Sequence, residues 1–356
     1  MPPQSEGQET AVKSKRPSDS AFKQQRLPAW QPMLTAGTVL PTFFIIGIAF
    51  IPIGAALLYF SNEVREHIID YTLCNKTGTD QTCASIIQAN PAENCTCQID
   101  FELKRDMVGA VYMYYGLSNY YQNHRRYVKS RDDDQLLGRL ELEPSSDCTP
   151  FAKTDEGTWI APCGAIANSL FNDTLKIQMK DTGRMVPLLR TGIAWPSDRN
   201  IKFRNPPGDL ETALKKFAKP KAWSRELWQL DLVEPSNNGF QNEDLIVWMR
   251  TAALPTFRKL YRRVDHGQEY FSEGLRNGNY TLIVSYSYSV ADFDGSKKMI
   301  LSTTSILGGK NPFLGIAYIV VGCVCLLLGV ILLLIHVKFS KSPNEMINVN
   351  QRTPYT

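Results

Sequence analysis

The chain has 356 residues, 43% of them hydrophobic, and a formal net charge of +4 at pH 7. Residues 33–59 and 313–337 contain no Lys, Arg, Asp or Glu. About 20 apolar residues cross a bilayer core, so this pattern excludes an ordinary soluble globule and points to two membrane spans around one large polar segment.

Residues 1–32 are a polar tail, in which Lys13, Lys15, Arg16, Lys23 and Arg26 outnumber the acidic residues. Its start is rich in Ser, Gln, Lys and Pro and is expected to be disordered. Further on, Trp30 suits a membrane-interface anchor and Arg26 a cytosolic flank. Contact with a partner's cytosolic face is the other use this segment could have. The first span follows at 33–59. It begins too late and runs too long for the apolar region of a cleaved signal peptide. Pro52 interrupts it and is expected to kink the helix.

Residues 60–312 form the large segment between the spans. It carries Cys74, Cys83, Cys95, Cys97, Cys148 and Cys163, and Asn-x-Thr sequons at Asn75, Asn94, Asn172 and Asn279. Disulfides persist outside the cytosol and sequons are read in the secretory pathway, so the segment is expected to be lumenal or extracellular. Asn172 and Asn279 are the better acceptors, because Asn75 and Asn94 adjoin cysteines. Cys95 and Cys97, one residue apart, can hardly bond each other without strain, whereas Cys148 and Cys163 are a natural local pair. Cys74 and Cys83 are then left to meet Cys95 and Cys97, nested or crossed. Nesting, Cys74–Cys97 with Cys83–Cys95, is the preferred guess.

Strict alternation puts Tyr280, Leu282, Val284, Tyr286 and Tyr288 on one face of a half-buried strand. Strand-like runs recur at 111–115, 174–179, 245–250 and 299–305, and 118–130 reads as a short helix. Turn punctuation such as Asn237-Asn238-Gly239 separates them. No strand–helix–strand rhythm is present. The fold expected is a β-rich ectodomain of antiparallel sheets with short helices, disulfide-bonded and flanked by two transmembrane α-helices.

The second span, 313–337, precedes a tail (338–356) in which Lys338, Lys341 and Arg352 face Glu345. Acidic and basic residues balance between the spans, so the whole charge excess lies in the tails, and both are expected in the cytosol. Gly47 and Gly54, and Gly315, Gly322 and Gly329, recur at seven-residue steps. That step returns to nearly the same helix face, and small residues let membrane helices approach closely. The glycines mark a contact seam, for a partner helix or for the chain's own other span.

No catalytic set, cofactor site or metal site is expected. The spans hold no ionisable residue except His336 at the edge, which argues against an ion pathway through this chain alone. Gly-x-Ser-x-Gly, His-Glu-x-x-His and Walker A patterns are missing. Asp132-Asp133-Asp134 reads as a solvated acidic loop rather than a calcium site, and Arg258, Lys259, Arg262 and Arg263 as a solvated basic face. Asn75-Lys-Thr-Gly-Thr-Asp80 resembles the phosphorylation motif of P-type ATPases, but Asn75 stands where the essential Asp would be and cannot form an acyl phosphate.

Several blocks together resemble one family: Ala21-Phe-Lys-Gln-Gln-Arg-Leu-Pro-Ala-Trp-Gln-Pro32, the stretch 114–133 beginning Tyr114-Tyr-Gly-Leu-Ser-Asn-Tyr-Tyr121, Ile160-Ala-Pro-Cys-Gly-Ala-Ile-Ala-Asn-Ser169, Lys202-Phe-Arg-Asn-Pro-Pro207, the stretch 243–261 beginning Glu243-Asp-Leu-Ile-Val-Trp248, and Gly308-Gly-Lys-Asn-Pro-Phe-Leu-Gly315. The chain resembles the cell cycle control protein 50 (transmembrane protein 30) family over about residues 21–337. The tails match less well, as in a divergent vertebrate paralogue of the third type. The resemblance implies a non-catalytic β-subunit of a type-IV P-type ATPase. It would pair with the catalytic α-subunit, let it leave the endoplasmic reticulum, and support aminophospholipid transport to the cytosolic leaflet. It also implies the nested and local disulfides. A subunit of a two-span ligand-gated channel with a Cys-rich ectodomain shares the topology and is the alternative.

Overall fold

The computed structural model describes residues 17–28, 34–91, 93–140 and 143–339. Two compact units emerge: residues 1–54 with 317–356, and residues 55–316.

The first unit is built on two long helices, Ala36–Glu63 and Phe313–Phe339. Both are long and apolar enough to cross a membrane. Only 11% of the most apolar window of each is buried, the opposite of a core helix in a soluble protein. The first helix runs unbroken through Pro41 and Pro52, and one turn beyond the expected end at residue 59. Trp30 lies outside the described residues.

The second unit contains a five-stranded sheet, a three-stranded sheet and a two-stranded pair, with every named pairing antiparallel. In chain order the strands are β1 (Glu66–Asp70), β2 (Cys95–Leu103), β3 (Met107–Val108), β4 (Val111–Leu117), β5 (Thr174–Met179), β6 (Leu188–Leu189), β7 (Phe257–Val264), β8 (Gly274–Leu275), β9 (Gly278–Tyr286) and β10 (Lys297–Thr303). The larger sheet has the order β1-β10-β4-β7-β6 and the smaller β2-β9-β5. Alternation builds both. Tyr280, Leu282, Val284 and Tyr286 of β9 are buried, as are Leu175 and Ile177 of β5 and Met113, Tyr115 and Leu117 of β4. The buried faces join in one core, whose aromatic centre is Phe171 stacked on Tyr115 at 4.0 Å.

One sequence expectation fails locally and another holds only in part. Residues 245–250, expected as a strand, lie in a helix, Glu243–Met249. A short apolar run fits either element. Here the Asn242 side chain accepts from the Leu245 N–H at the helix start, and Glu243 and Asp244 occupy the first turn, as the helix dipole favours. The short helix expected over 118–130 is present in part, at Arg125–Lys129.

Candidate functional site

The seam glycines come first. Gly47, Gly54, Gly315, Gly322 and Gly329 are all buried within otherwise exposed helices. A Cβ on Gly47 would lie 2.5 Å from Leu326 Cγ, and one on Gly322 would lie 2.8 Å from Ile51 Cγ1 and 3.2 Å from the Ile51 backbone nitrogen. At Gly329 the neighbour is Phe44, 3.3 Å away. Phe50 and Tyr318 add a ring contact at 4.8 Å. Gly47, Gly322 and Gly329 therefore sit where the chain's own two spans meet.

In the β-rich unit the cysteines bond as Cys74–Cys97, Cys83–Cys95 and Cys148–Cys163. The first two staple the start of β2 to the loop and short helix (Cys83–Ala89) preceding it. The stretch 75–80 is a tight turn in that knot: Lys76 N–H donates to Gln81 O and Thr77 N–H to Thr96 O. Cys323 and Cys325 are free thiols of the second long helix.

The charged residues that looked superficial are largely internal. Lys259 and Arg262 are buried, so of the solvated basic face expected there only Arg258 is exposed. Lys259 Nζ donates to the carbonyls of Val247 (2.8 Å), Trp248 (3.1 Å) and Arg250. It caps the C-terminus of the Glu243–Met249 helix, where carbonyls lack intrahelical partners. Burial, then the nearby Arg250 cation, pulls its pKa down to about 7. Arg262 forks onto Asp244 at 2.5 and 3.2 Å; burial opposes its charge, but the Asp244 carboxylate raises its pKa overall. Glu243, buried beside it, accepts the N–H groups of Ile193 and Ala194 at 2.7 and 2.8 Å. Arg258 pairs with Glu66 at 2.6 Å, joining β7 to β1. Arg263 donates to Thr191 O.

The deepest ion pair is Asp173–Lys297, 2.6 Å apart with both side chains fully buried. Asp173 precedes β5 and Lys297 opens β10, so the pair bridges the two sheets. Asp173 also accepts from Ser287 N–H, Tyr288 N–H and Tyr71 OH. Lys297 donates to Tyr288 O at 2.6 Å and lies over the Tyr286 ring. Burial pulls the Lys297 pKa down to about 8, against the pull of Asp173. Neither residue stood out in the sequence. The acidic run is likewise absorbed: buried Asp132 accepts from the N–H groups of Asp134, Gln135 and Ser145, while Asp133 and Asp134 pair with Arg131 and Arg139.

The Ile160–Ser169 block is the hub of this polar frame. Gln135 holds Ile160 O and Cys163 N–H, and Ser130 Oγ accepts from Ala165 N–H. The indoles of Trp248 and Trp223 donate to Ile166 O and Ala167 O at 2.8 and 2.7 Å. At Gly164, φ is +99° and a Cβ would overlap Ser130 O, so only glycine fits. The four sequon asparagines, Asn75, Asn94, Asn172 and Asn279, are all exposed.

A family model described as "LEM3 (ligand-effect modulator 3) family / CDC50 family" matches residues 57–342. The chain is 54% identical to cell cycle control protein 50A of Mus musculus over 94% of this chain and 93% of that protein. It is 42% identical to cell cycle control protein 50C of Bos taurus, over 92% of this chain and 95% of that protein. It is 41% identical to ALA-interacting subunit 3 of Arabidopsis thaliana, over 88% of this chain and 84% of that protein. The likeness to the 50A protein exceeds that to the 50C protein, against the expectation of the third vertebrate type. The chain belongs to the CDC50 family, and its sheet-rich ectodomain between two apolar helices is the architecture of a membrane protein.

Proposed function

We propose that this CDC50-family chain is the non-catalytic β-subunit of a phospholipid flippase, paired with a type-IV P-type ATPase α-subunit. In this reading it carries the α-subunit out of the endoplasmic reticulum and supports aminophospholipid transport to the cytosolic leaflet. Both tails face the cytosol, and residues 60–312 form the glycosylated exoplasmic domain. The observation that carries the reading is likeness over nearly the whole chain to relatives that include one named an ALA-interacting subunit. The physical design agrees with it. The span pair is self-contained, and its outward surface keeps large apolar side chains such as Ile48, Leu327 and Leu334 exposed to lipid and to partner helices. The ectodomain's buried charges are spent on internal pairs and caps, which suits a rigid scaffold better than a site of chemistry.

Co-expression with candidate α-subunits tests this directly, scoring departure from the endoplasmic reticulum and uptake of fluorescent phosphatidylserine. The reading expects at least one α-subunit to relocate and to gain uptake. If none changes location or activity, it fails. A channel subunit would instead assemble with copies of itself and conduct alone.

A further inference from the structure

Two of the four sequon asparagines, Asn94 and Asn172, open onto the same cavity of about 310 Å³. That volume lies at the small end of ligand pockets. The wall combines aromatic and polar groups: Trp223, Tyr261, Ser224, Arg190 and Thr174. Arg190 Nη2 donates to Leu230 O and Asp244 Oδ2, and its Nη1 pairs with Asp231 at 3.4 Å. The arginine is thereby fixed in the cavity wall, beside Ser224 and Thr174. We propose that the cavity is an internal carbohydrate seat, occupied by the innermost N-acetylglucosamine of a glycan on Asn172.

Asn172 is favoured over Asn94 because its root is rigid. Phe171 on one side is stacked on Tyr115 at 4.0 Å. Asp173 on the other is locked to Lys297 at 2.6 Å. A sugar attached between two such anchors sweeps little volume, and it enters the cavity at small entropic cost. An acetamido carbonyl or a ring hydroxyl offers hydrogen-bond partners to a wall that includes Ser224 and Thr174. Trp223 and Tyr261 line the cavity beside polar groups, a mixed wall that suits a pyranose. The glycan would then act as a covalent filler that ties β5 to the 222–225 loop.

The inference rests on the exoplasmic placement of residues 60–312 and on no partner. The full chain, purified from a high-mannose cell line, is examined by mass spectrometry for occupancy and by hydrogen exchange. The readout is the pair of amides that hold the loop, Ala222 N–H on Asn168 Oδ1 and Trp223 N–H on Pro220 O. Asn172→Gln should speed their exchange about fivefold to tenfold, the effect of losing one or two hydrogen bonds, while Asn279→Gln leaves it unchanged. Trimming with an endoglycosidase that keeps one N-acetylglucosamine should preserve the protection. Equal exchange in Asn172→Gln and the parent, loss of protection on trimming, or an effect from Asn94→Gln instead would each overturn the seat. A glycan on Asn279 with no seat at Asn172 removes only this inference. No glycan at any sequon removes the exoplasmic placement as well.

Discussion

Lys297→Met attacks the ion pair between the two sheets. In the parent, Nζ lies 2.6 Å from Asp173 Oδ2 and 2.6 Å from Tyr288 O, with both charged side chains fully buried. Methionine keeps most of the volume and removes the charge. Asp173 would retain the N–H groups of Ser287 and Tyr288 and the Tyr71 hydroxyl, but no cation. Breaking a buried pair from one side costs about 3–5 kcal/mol. At about 2–4 °C per kcal/mol for a domain of this size, Tm should fall roughly 6–20 °C. Asp173→Asn/Lys297→Met removes both charges while the Asn oxygen still accepts the two N–H groups, so it should recover most of the loss. The assay is a double-mutant cycle on thermal melts of the purified chain. A shift under about 2 °C for Lys297→Met, or a double variant worse than the single, would refute the reasoning.

Cys148→Ala/Cys163→Ala opens a loop of 15 residues. It should cost about 3 kcal/mol, seen as a Tm loss of roughly 6–12 °C. Stability should also rise with pH. Burial lowers the folded pKa of Lys259 to about 7, below the roughly 10.4 of an unfolded lysine. Between those values the unfolded chain binds more protons, so stability grows as pH rises and is lost as pH falls through 7. Tm between about pH 6.5 and 9 should climb, and Lys259→Met should flatten the climb; a falling curve contradicts the assignment. Gly322→Leu should force the spans apart at about 1–3 kcal/mol of overpacking. Cross-linking between Phe50→Cys and Tyr318→Cys, with Cys323 and Cys325 replaced by Ser, should drop several-fold. Gly37→Leu is the control, since its Cβ would meet only Thr35 Oγ1 at 3.9 Å.

What the sequence made legible follows from which signals are local. β9 is readable because Tyr280, Leu282, Val284 and Tyr286 alternate without a break. β2 alternates as well, with Cys95, Cys97, Ile99, Phe101 and Leu103 against Thr96, Gln98, Asp100 and Glu102; its cysteines carry a bonding signal that masks the alternation. β7 could not be read the same way. Its Lys259 and Arg262 turn inward to partners on the Glu243–Met249 helix, and a charged residue facing a core has no periodic signature. The strand misread at 245–250 had its corrective in plain view, in Asn242 and the two acidic residues after it. Asp173 was hidden for another reason: it sits in the middle of a sequon, and its cation is 124 residues away.

The seam changes what a partner could recognise. Glycines at seven-residue steps announce close approach without naming the neighbour, and the neighbour at Gly47, Gly322 and Gly329 is the other span. A helix face can hold one close partner at a time, so on the proposed reading an α-subunit would use a different face, the tails or the ectodomain. That separates two classes of substitution. Gly322→Leu acts on the span pair itself. Leu327, 62% exposed on the second helix, lies off the seam, and Leu327→Trp should leave the Phe50–Tyr318 cross-link intact while lowering co-purification of a flippase α-subunit. If co-purification instead follows the cross-link and ignores Leu327, the spans matter only as a joined pair, and recognition of the partner belongs to the tails or the ectodomain.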